Sequence, residues 1–80
     1  MTQTILRLPT VKAATGLSRS TLYLRIANGV FPHPVSLGGR AVGWPAHEVA
    51  ALNAARIAGK PEAEIRAMVA QLEAARRVAR

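Results

Sequence analysis

The chain has 80 residues, of which 11 are Lys or Arg and 4 are Asp or Glu, so its formal charge is +7 at pH 7. This length fits one small domain and excludes an enzyme with a large cleft between two lobes. The absence of cysteine excludes disulfides and thiolate chemistry and favours a cytoplasmic location, while no apolar run approaches the roughly 20 residues of a membrane span.

Two short helices are predicted first. One covers residues 9–15 and is closed by Gly16, whose backbone adopts the left-handed conformation easily. The other covers residues 19–27, because Ser18 is a good N-cap and the pair 28–29 is Asn-Gly, a strong stop signal. Two short helices around a tight Gly-containing turn are typical of a helix-turn-helix. The residues spaced to form its core are Val11, Ala14, Leu17, Leu22 and Ile26.

A β-hairpin is predicted next. Two prolines hold residues 30–34 extended. Short alternating segments at 35–37 and 41–44 then flank a Gly-Gly turn, which favours two antiparallel strands. We expect Trp44 to pack this hairpin onto the core. A hairpin directly after a helix-turn-helix is the arrangement that a winged helix requires.

Two further helices complete the prediction. The third begins at Pro45 and runs to about Ala58, before Gly59. Its inner stripe is predicted to be Val49, Leu52, Ala55 and Arg56. The fourth begins at Pro61, with acidic residues in its first turn and Arg76, Arg77 and Arg80 in its last, as the helix dipole favours. The predicted fold is therefore mostly α with a small β-hairpin: a winged helix-turn-helix over 1–58, and a C-terminal amphipathic helix over 59–80.

The fourth helix carries an apolar stripe that must be buried against something. The residues of this stripe, our candidates for self-association, are Ile65, Met68, Val69 and Leu72, with Ala75 and Ala79 beyond. Two arrangements are open: the helix folds back onto its own domain, or it pairs with a second copy in a dimer or a cooperative assembly on DNA.

The positive charge is concentrated in the first part of the chain. Residues 1–47 contain five basic residues and no acidic one, whereas residues 61–80 hold four against three, a net of +1. The five are Arg7, Lys12, Arg19, Arg25 and Arg40. A basic stretch without acidic residues favours an anionic partner, of which nucleic acid is the commonest.

An ordered series of motifs resembles a known family. The motifs are Arg7-Leu8-Pro9, then Thr15-Gly16-Leu17-Ser18-Arg19-Ser20-Thr21-Leu22-Tyr23, then Phe31-Pro32 with Pro34-Val35, then Leu37-Gly38-Gly39-Arg40-Ala41-Val42-Gly43-Trp44. Over about residues 5–58 the chain resembles the AlpA family of small phage- and prophage-related regulators, and more broadly the excisionase and MerR-like winged-helix domains. The resemblance implies duplex DNA binding, with the second helix in the major groove and the Gly-Gly-Arg wing on the backbone or minor groove. Leu24 departs from the family, which commonly has a basic or polar residue there.

The candidate DNA-binding residues lie on the second helix, its surroundings and the wing. Arg19 is the candidate for a base contact, because it lies in the first turn and its guanidinium can read guanine. Arg40 suits a phosphate or a narrow minor groove. Ser18 is expected mainly to cap the helix, and for Tyr23 packing and DNA contact are both open. The full set is Lys12, Ser18, Arg19, Ser20, Thr21, Tyr23, Arg25, Gly39 and Arg40.

The leading hypothesis is a sequence-specific regulator of transcription that acts on the nucleoid. One alternative is an excisionase that bends DNA for an integrase, and another is a protein-interaction or dimerisation adaptor. RNA polymerase or an integrase are possible protein partners. Four glutamates, two histidines and no aspartate leave few catalytic sets, so we expect no enzyme activity, cofactor, metal site, small-molecule ligand or membrane contact. His33 and His47 are expected on the surface.

Overall fold

The protein is described by a computed structural model that covers residues 4–78 and contains, within that range, four helices and one three-stranded antiparallel sheet. In chain order the elements are β1 (Ile5–Leu6), α1 (Leu8–Thr15), α2 (Arg19–Ala27), β2 (Val35–Gly38), β3 (Ala41–Pro45), α3 (Ala46–Ile57) and α4 (Glu62–Val78). The winged helix-turn-helix with a C-terminal helix is thus confirmed.

The turn between α1 and α2 is set by local chemistry, as predicted. Gly16 ends α1 with a φ of 74°, and its N–H donates to the Lys12 carbonyl at 2.8 Å. After α2, Gly29 takes a φ of 77° and the chain turns toward the hairpin. These two left-handed residues fix where the second helix begins and ends.

Trp44 lies at the centre of the core, confirming its predicted packing role. Its ring is fully buried and meets Phe31 edge-on, with ring centroids 6.4 Å apart. Its indole N–H donates to the Pro32 carbonyl at 2.9 Å, so its one polar atom is satisfied. The buried apolar residues are Val11, Leu22, Ile26, Val30, Phe31, Trp44, Val49, Leu52, Ala55, Ile65 and Val69.

Two core predictions are wrong. Ala14 is exposed, because α1 buries Val11 and turns its last residues outward. The Ala14 carbonyl instead accepts a hydrogen bond from the Asn53 side chain of α3 at 2.9 Å. Arg56 is also exposed, because the buried stripe of α3 passes through Leu52 and Ala55 and leaves the next position at the rim.

A strand that the sequence did not predict adds to the wing. β1 pairs antiparallel with β3, Ile5 opposite Pro45 and Leu6 opposite Trp44, which puts β3 in the middle of the sheet. Gly43 permits this close approach, since a Cβ there would collide with the Ile5 side chain. Pro45 therefore closes β3 instead of opening α3, which begins at Ala46.

The stripe of α4 packs back onto the chain's own core. Ile65 and Val69 are buried in it, and Met68 and Leu72 pack against it partly buried. The buried residues of α4 therefore belong to the same core as those of the preceding elements. The division into a unit over 1–58 and a helix over 59–80 stays a prediction. Ala75 is exposed, and Ala79 and Arg80 lie outside the described residues. Self-association through the stripe stays a prediction, and it would require α4 to leave this core.

Unfolding at different protein concentrations separates the two arrangements of α4. Because the stripe is already buried in one chain, we expect the urea midpoint, followed by Trp44 fluorescence, to stay constant over a hundredfold range of concentration. A midpoint that rises with concentration, together with a dimer mass in sedimentation equilibrium, would show that α4 pairs with a second copy.

Two side chains of α4 hold the segment that leads into the wing, and we call them the α4 clamp: Glu73 and Arg76. The Arg76 guanidinium binds the Glu48 carboxylate through Nε at 2.9 Å and a terminal nitrogen at 2.5 Å, and also donates to the His33 carbonyl at 2.8 Å. Glu48, in the first turn of α3, is fully buried. Arg76 therefore neutralises a buried carboxylate. The sequence had predicted only that Arg76 complements the dipole of the fourth helix.

Glu73 accepts hydrogen bonds from the backbone N–H of His33 at 2.7 Å and from its Nδ1 at 3.0 Å. Burial of the Glu73 carboxyl acts to raise its pKa, but the hydrogen bonds from His33 and the charges of His33 and Arg76 outweigh burial, so the pKa lies below its ordinary value. The His33 ring remains exposed, as does His47. The clamp thus fixes the backbone just before β2.

Candidate nucleic-acid interface

The start of α2 is held by a hydroxyl network. The Ser18 Oγ accepts a hydrogen bond from the Thr21 backbone N–H at 3.3 Å, which is the predicted N-cap. The same hydroxyl donates to the Thr21 Oγ at 3.0 Å and lies 3.4 Å from the Ser20 Oγ. Ser18 and Thr21 are therefore occupied with capping, while Ser20 lies at the exposed end of the network.

The outward face of α2 is formed by exposed residues that surround an open, shallow concavity. Four predicted site residues line this concavity: Ser18, Arg19, Ser20 and Tyr23. Leu24 and Ala27 continue the exposed face toward the end of the helix, and Arg25 lies half-buried at its flank. The opposite face buries Leu22 and Ile26 in the core.

A stack of side chains orients Arg19. Its guanidinium carbon lies 5.6 Å from the centroid of the Tyr23 ring, within range of a cation–π interaction. The Tyr23 ring in turn meets the buried Trp44 ring edge-on at 6.5 Å. Tyr23 is 36% exposed, so it packs against the core and also remains accessible to solvent. The positive charge of Arg19 is thus held at the helix surface by a fixed support.

The tip of the wing is built by two glycines. Gly38 and Gly39 have φ values of 104° and 56°, and nothing lies within 4 Å of the Cβ position at either, so backbone conformation is what requires glycine there. Arg40 follows them and is exposed. Within residues 4–78 its side chain forms no ion pair. The wing therefore presents an arginine free to meet an anion.

Arg25 lies at a cleft between α2 and α3 that includes an arginine the sequence reasoning placed elsewhere. The cleft has a volume of about 230 Å³, and Arg25 and Arg56 both line it. Arg56 was predicted to face inward. The apolar stripe of α3 is too short to fix the helical phase, so the sequence did not show that Arg56 faces the cleft. Lys12, on α1, is exposed.

The surface formed by α2 and the wing lies in the part of the chain that is rich in basic residues. The chain has no acidic residue before Glu48. Glu48 is buried and paired with Arg76, and Glu73 is bound to His33. The outward face of α2 and the wing therefore carry uncompensated arginines, a charge pattern that suits a polyanion.

A comparison of the sequence with models of known protein families gives a match over most of this fold. The model of the family described as prophage CP4-57 regulatory protein (AlpA) matches residues 4–57, which run from the start of β1 to the end of α3. The chain belongs to the AlpA family. This confirms the resemblance drawn from the sequence motifs, and the matching family is described as one of regulatory proteins.

One curated relative of this AlpA-family chain comes from a phage. It is the uncharacterized protein ORF88 of Enterobacteria phage P4, 54% identical over 55 residues, which are 69% of this chain and 62% of the relative. The chain thus spans less than two thirds of that relative's length. No solved structure matches this chain. α4 lies beyond the residues that the AlpA model covers.

Two further observations concern the described part of this AlpA-family chain. Across residues 4–78, no three His or acidic side chains cluster as metal ligands would. None of the helices in the same range combines the length and apolar character of a membrane-crossing segment.

Proposed function

We propose that this AlpA-family chain binds a specific duplex DNA sequence and regulates transcription of phage or mobile-element genes. The observation that carries the proposal is Arg19, supported on Tyr23 at the exposed first turn of α2, in a stretch of the chain without acidic residues. In a helix-turn-helix the second helix lies in the major groove and its first residues reach base edges. The proposed place of action is the nucleoid, in the cytoplasm.

The proposed roles follow from where each side chain lies. Arg19 reads a base, and Ser20 is the short donor beside it. Lys12 and Arg25 contact phosphates around α2, and Ser18 caps the helix, whose N-terminus faces the DNA backbone. The Thr21 hydroxyl accepts from Ser18 and keeps its own hydrogen to donate to a phosphate. On the wing, Gly39 lets the backbone approach DNA and Arg40 contacts a phosphate or enters the minor groove.

Selection of bound duplexes from a random pool by the full chain tests this proposal. We expect a short motif to be enriched, and the binding constant for that motif to exceed that for a shuffled duplex by about 10³-fold or more. Binding of the whole pool without enrichment would contradict sequence-specific reading and leave only a non-specific polycation.

Arg40→Ala tests the wing separately. We expect it to weaken binding to the selected and shuffled duplexes alike, and to lower the slope of log K against log salt by about 1, because one phosphate contact is lost. Lys60→Ala removes the same charge from the loop before α4 and is expected to change neither quantity. A shift in base preference for Arg40→Ala would show that the wing reads sequence.

Excisionase activity is the alternative that the same interface would serve, with an integrase in place of RNA polymerase as the partner. Deleting the gene in a lysogen distinguishes the regulator from the excisionase. Loss of a regulator changes the levels of transcripts, whereas loss of an excisionase changes the frequency of excision. An adaptor that uses only protein contacts would give neither a selected DNA motif nor a salt-dependent affinity.

A further inference from the structure

Leu24 is an apolar side chain at the outermost position of α2. It is 60% exposed, more than any other large hydrophobic residue of this helix. At 100° per residue it points away from Leu22 and Ile26, which are buried, and lies in line with Ser20 and Ala27. This outermost line of α2 therefore carries no charge, and Leu24 is its largest apolar side chain.

An exposed leucine here has no packing role within the described chain, since it lies outside the hydrophobic core and the residues packed against it. Its neighbours on the flanks of α2 are basic, Arg19 on one side and Arg25 on the other, and no acidic residue precedes Glu48. That charge suits DNA as the occupant of this face. In the major groove the one apolar group that a base pair offers is the C5-methyl group of thymine.

We propose that Leu24 is a specificity-determining residue that contacts the C5-methyl group of a thymine in the major groove. The inference rests on the proposed function, because it requires α2 to lie in that groove. Leu24 follows Arg19 by five residues, about 7.5 Å along the helix axis at 1.5 Å per residue. At 3.4 Å per base pair this places the thymine about two base pairs from the base that Arg19 contacts.

The test uses the full chain and the duplex selected from the random pool. Each thymine is replaced in turn by deoxyuridine, which removes the methyl group and leaves base pairing and hydrogen-bonding edges unchanged. We expect one replacement near the Arg19-dependent position to raise Kd about fourfold, the size expected for one buried methyl-sized group. Leu24→Ala is expected to raise Kd on the thymine duplex similarly and to abolish the difference between thymine and deoxyuridine there.

Leu37→Ala is the matched control, because it removes the same atoms from an exposed leucine on the wing, 43% exposed. It is expected to keep the thymine preference. Trp44 fluorescence checks that both variants fold. Both should fold, because each replaces an exposed leucine: Leu24→Ala puts a good helix former into α2, and Leu37→Ala lies on an edge strand of the wing.

Three results would overturn the inference. One is a motif without thymine within about three base pairs of the Arg19-dependent position; another is a deoxyuridine effect that survives Leu24→Ala. The third is unchanged DNA affinity of Leu24→Ala; an altered sedimentation mass of that variant would then make this face a contact with a second copy. In each case Arg19-dependent binding to the selected motif can persist, so the proposed function is judged separately; loss of all specific binding would overturn both.

Discussion

Arg76→Ala is expected to lower the free energy of unfolding by about 3–5 kcal/mol, because it leaves a buried carboxylate without its counter-charge. Glu48 is fully buried, whereas the Arg76 side chain is 22% exposed and supplies both of the hydrogen bonds on that carboxylate. The domain has only 80 residues, and about 4–12 kcal/mol of total stability is typical for that size. The variant would thus lose much of its stability, along with the hydrogen bond to the His33 carbonyl.

Urea unfolding followed by the fluorescence of Trp44 measures this loss, since that single tryptophan is buried at the centre of the core. Arg66→Ala is the matched control: an exposed arginine on the same helix whose Nε donates to the exposed Asn28 carbonyl at 3.3 Å, so its loss is expected to cost about 1 kcal/mol or less. The double variant Glu48→Met with Arg76→Met should recover most of the loss, because it removes both charges and keeps the volume. If the double variant is as unstable as the sum of its single variants, the ion pair does not carry the effect.

Arg19→Ala is expected to weaken binding to the selected duplex by about 1–3 kcal/mol, or roughly 5- to 150-fold in Kd. The reason is that a guanidinium oriented in advance by Tyr23 loses little freedom when it forms two hydrogen bonds to one base. Discrimination should relax at one base-pair position, while affinity for shuffled duplexes falls much less.

Fluorescence anisotropy on the selected duplex and its single-position variants measures both quantities. Arg19→Lys separates charge from geometry: it should keep the salt dependence and lose the base preference, because an ammonium group cannot form the two-point contact. Lys60→Ala again serves as the control for loss of one positive charge away from α2 and the wing. Unchanged affinity and salt dependence in Arg19→Ala would mean that α2 is not the reading helix.

Elements defined by short-range chemistry could be predicted from the sequence. Gly16 and Ser18 place the turn and the start of α2 because each acts on backbone groups within four residues. The Gly-Gly pair places the wing for the same reason. Arg19 and Tyr23 are four residues apart on one helix, so their contact follows from the helical repeat.

Contacts between distant segments could not be predicted in this way. Glu48 and Arg76 are 28 residues apart, and only the packing angle of α4 brings them together. β1 has two residues, too few to show an alternating pattern, and it exists because β3 offers a free edge. The support of Tyr23 by Trp44 likewise depends on how the hairpin meets α2.

The chemical shifts of backbone amides in the full chain, followed by NMR as the selected duplex is added, test the proposed interface most directly. We predict that the largest changes fall on residues 18–27 and 38–41, with small changes over α4. Large changes over 62–78 with little change in α2 would contradict the proposed DNA-binding surface.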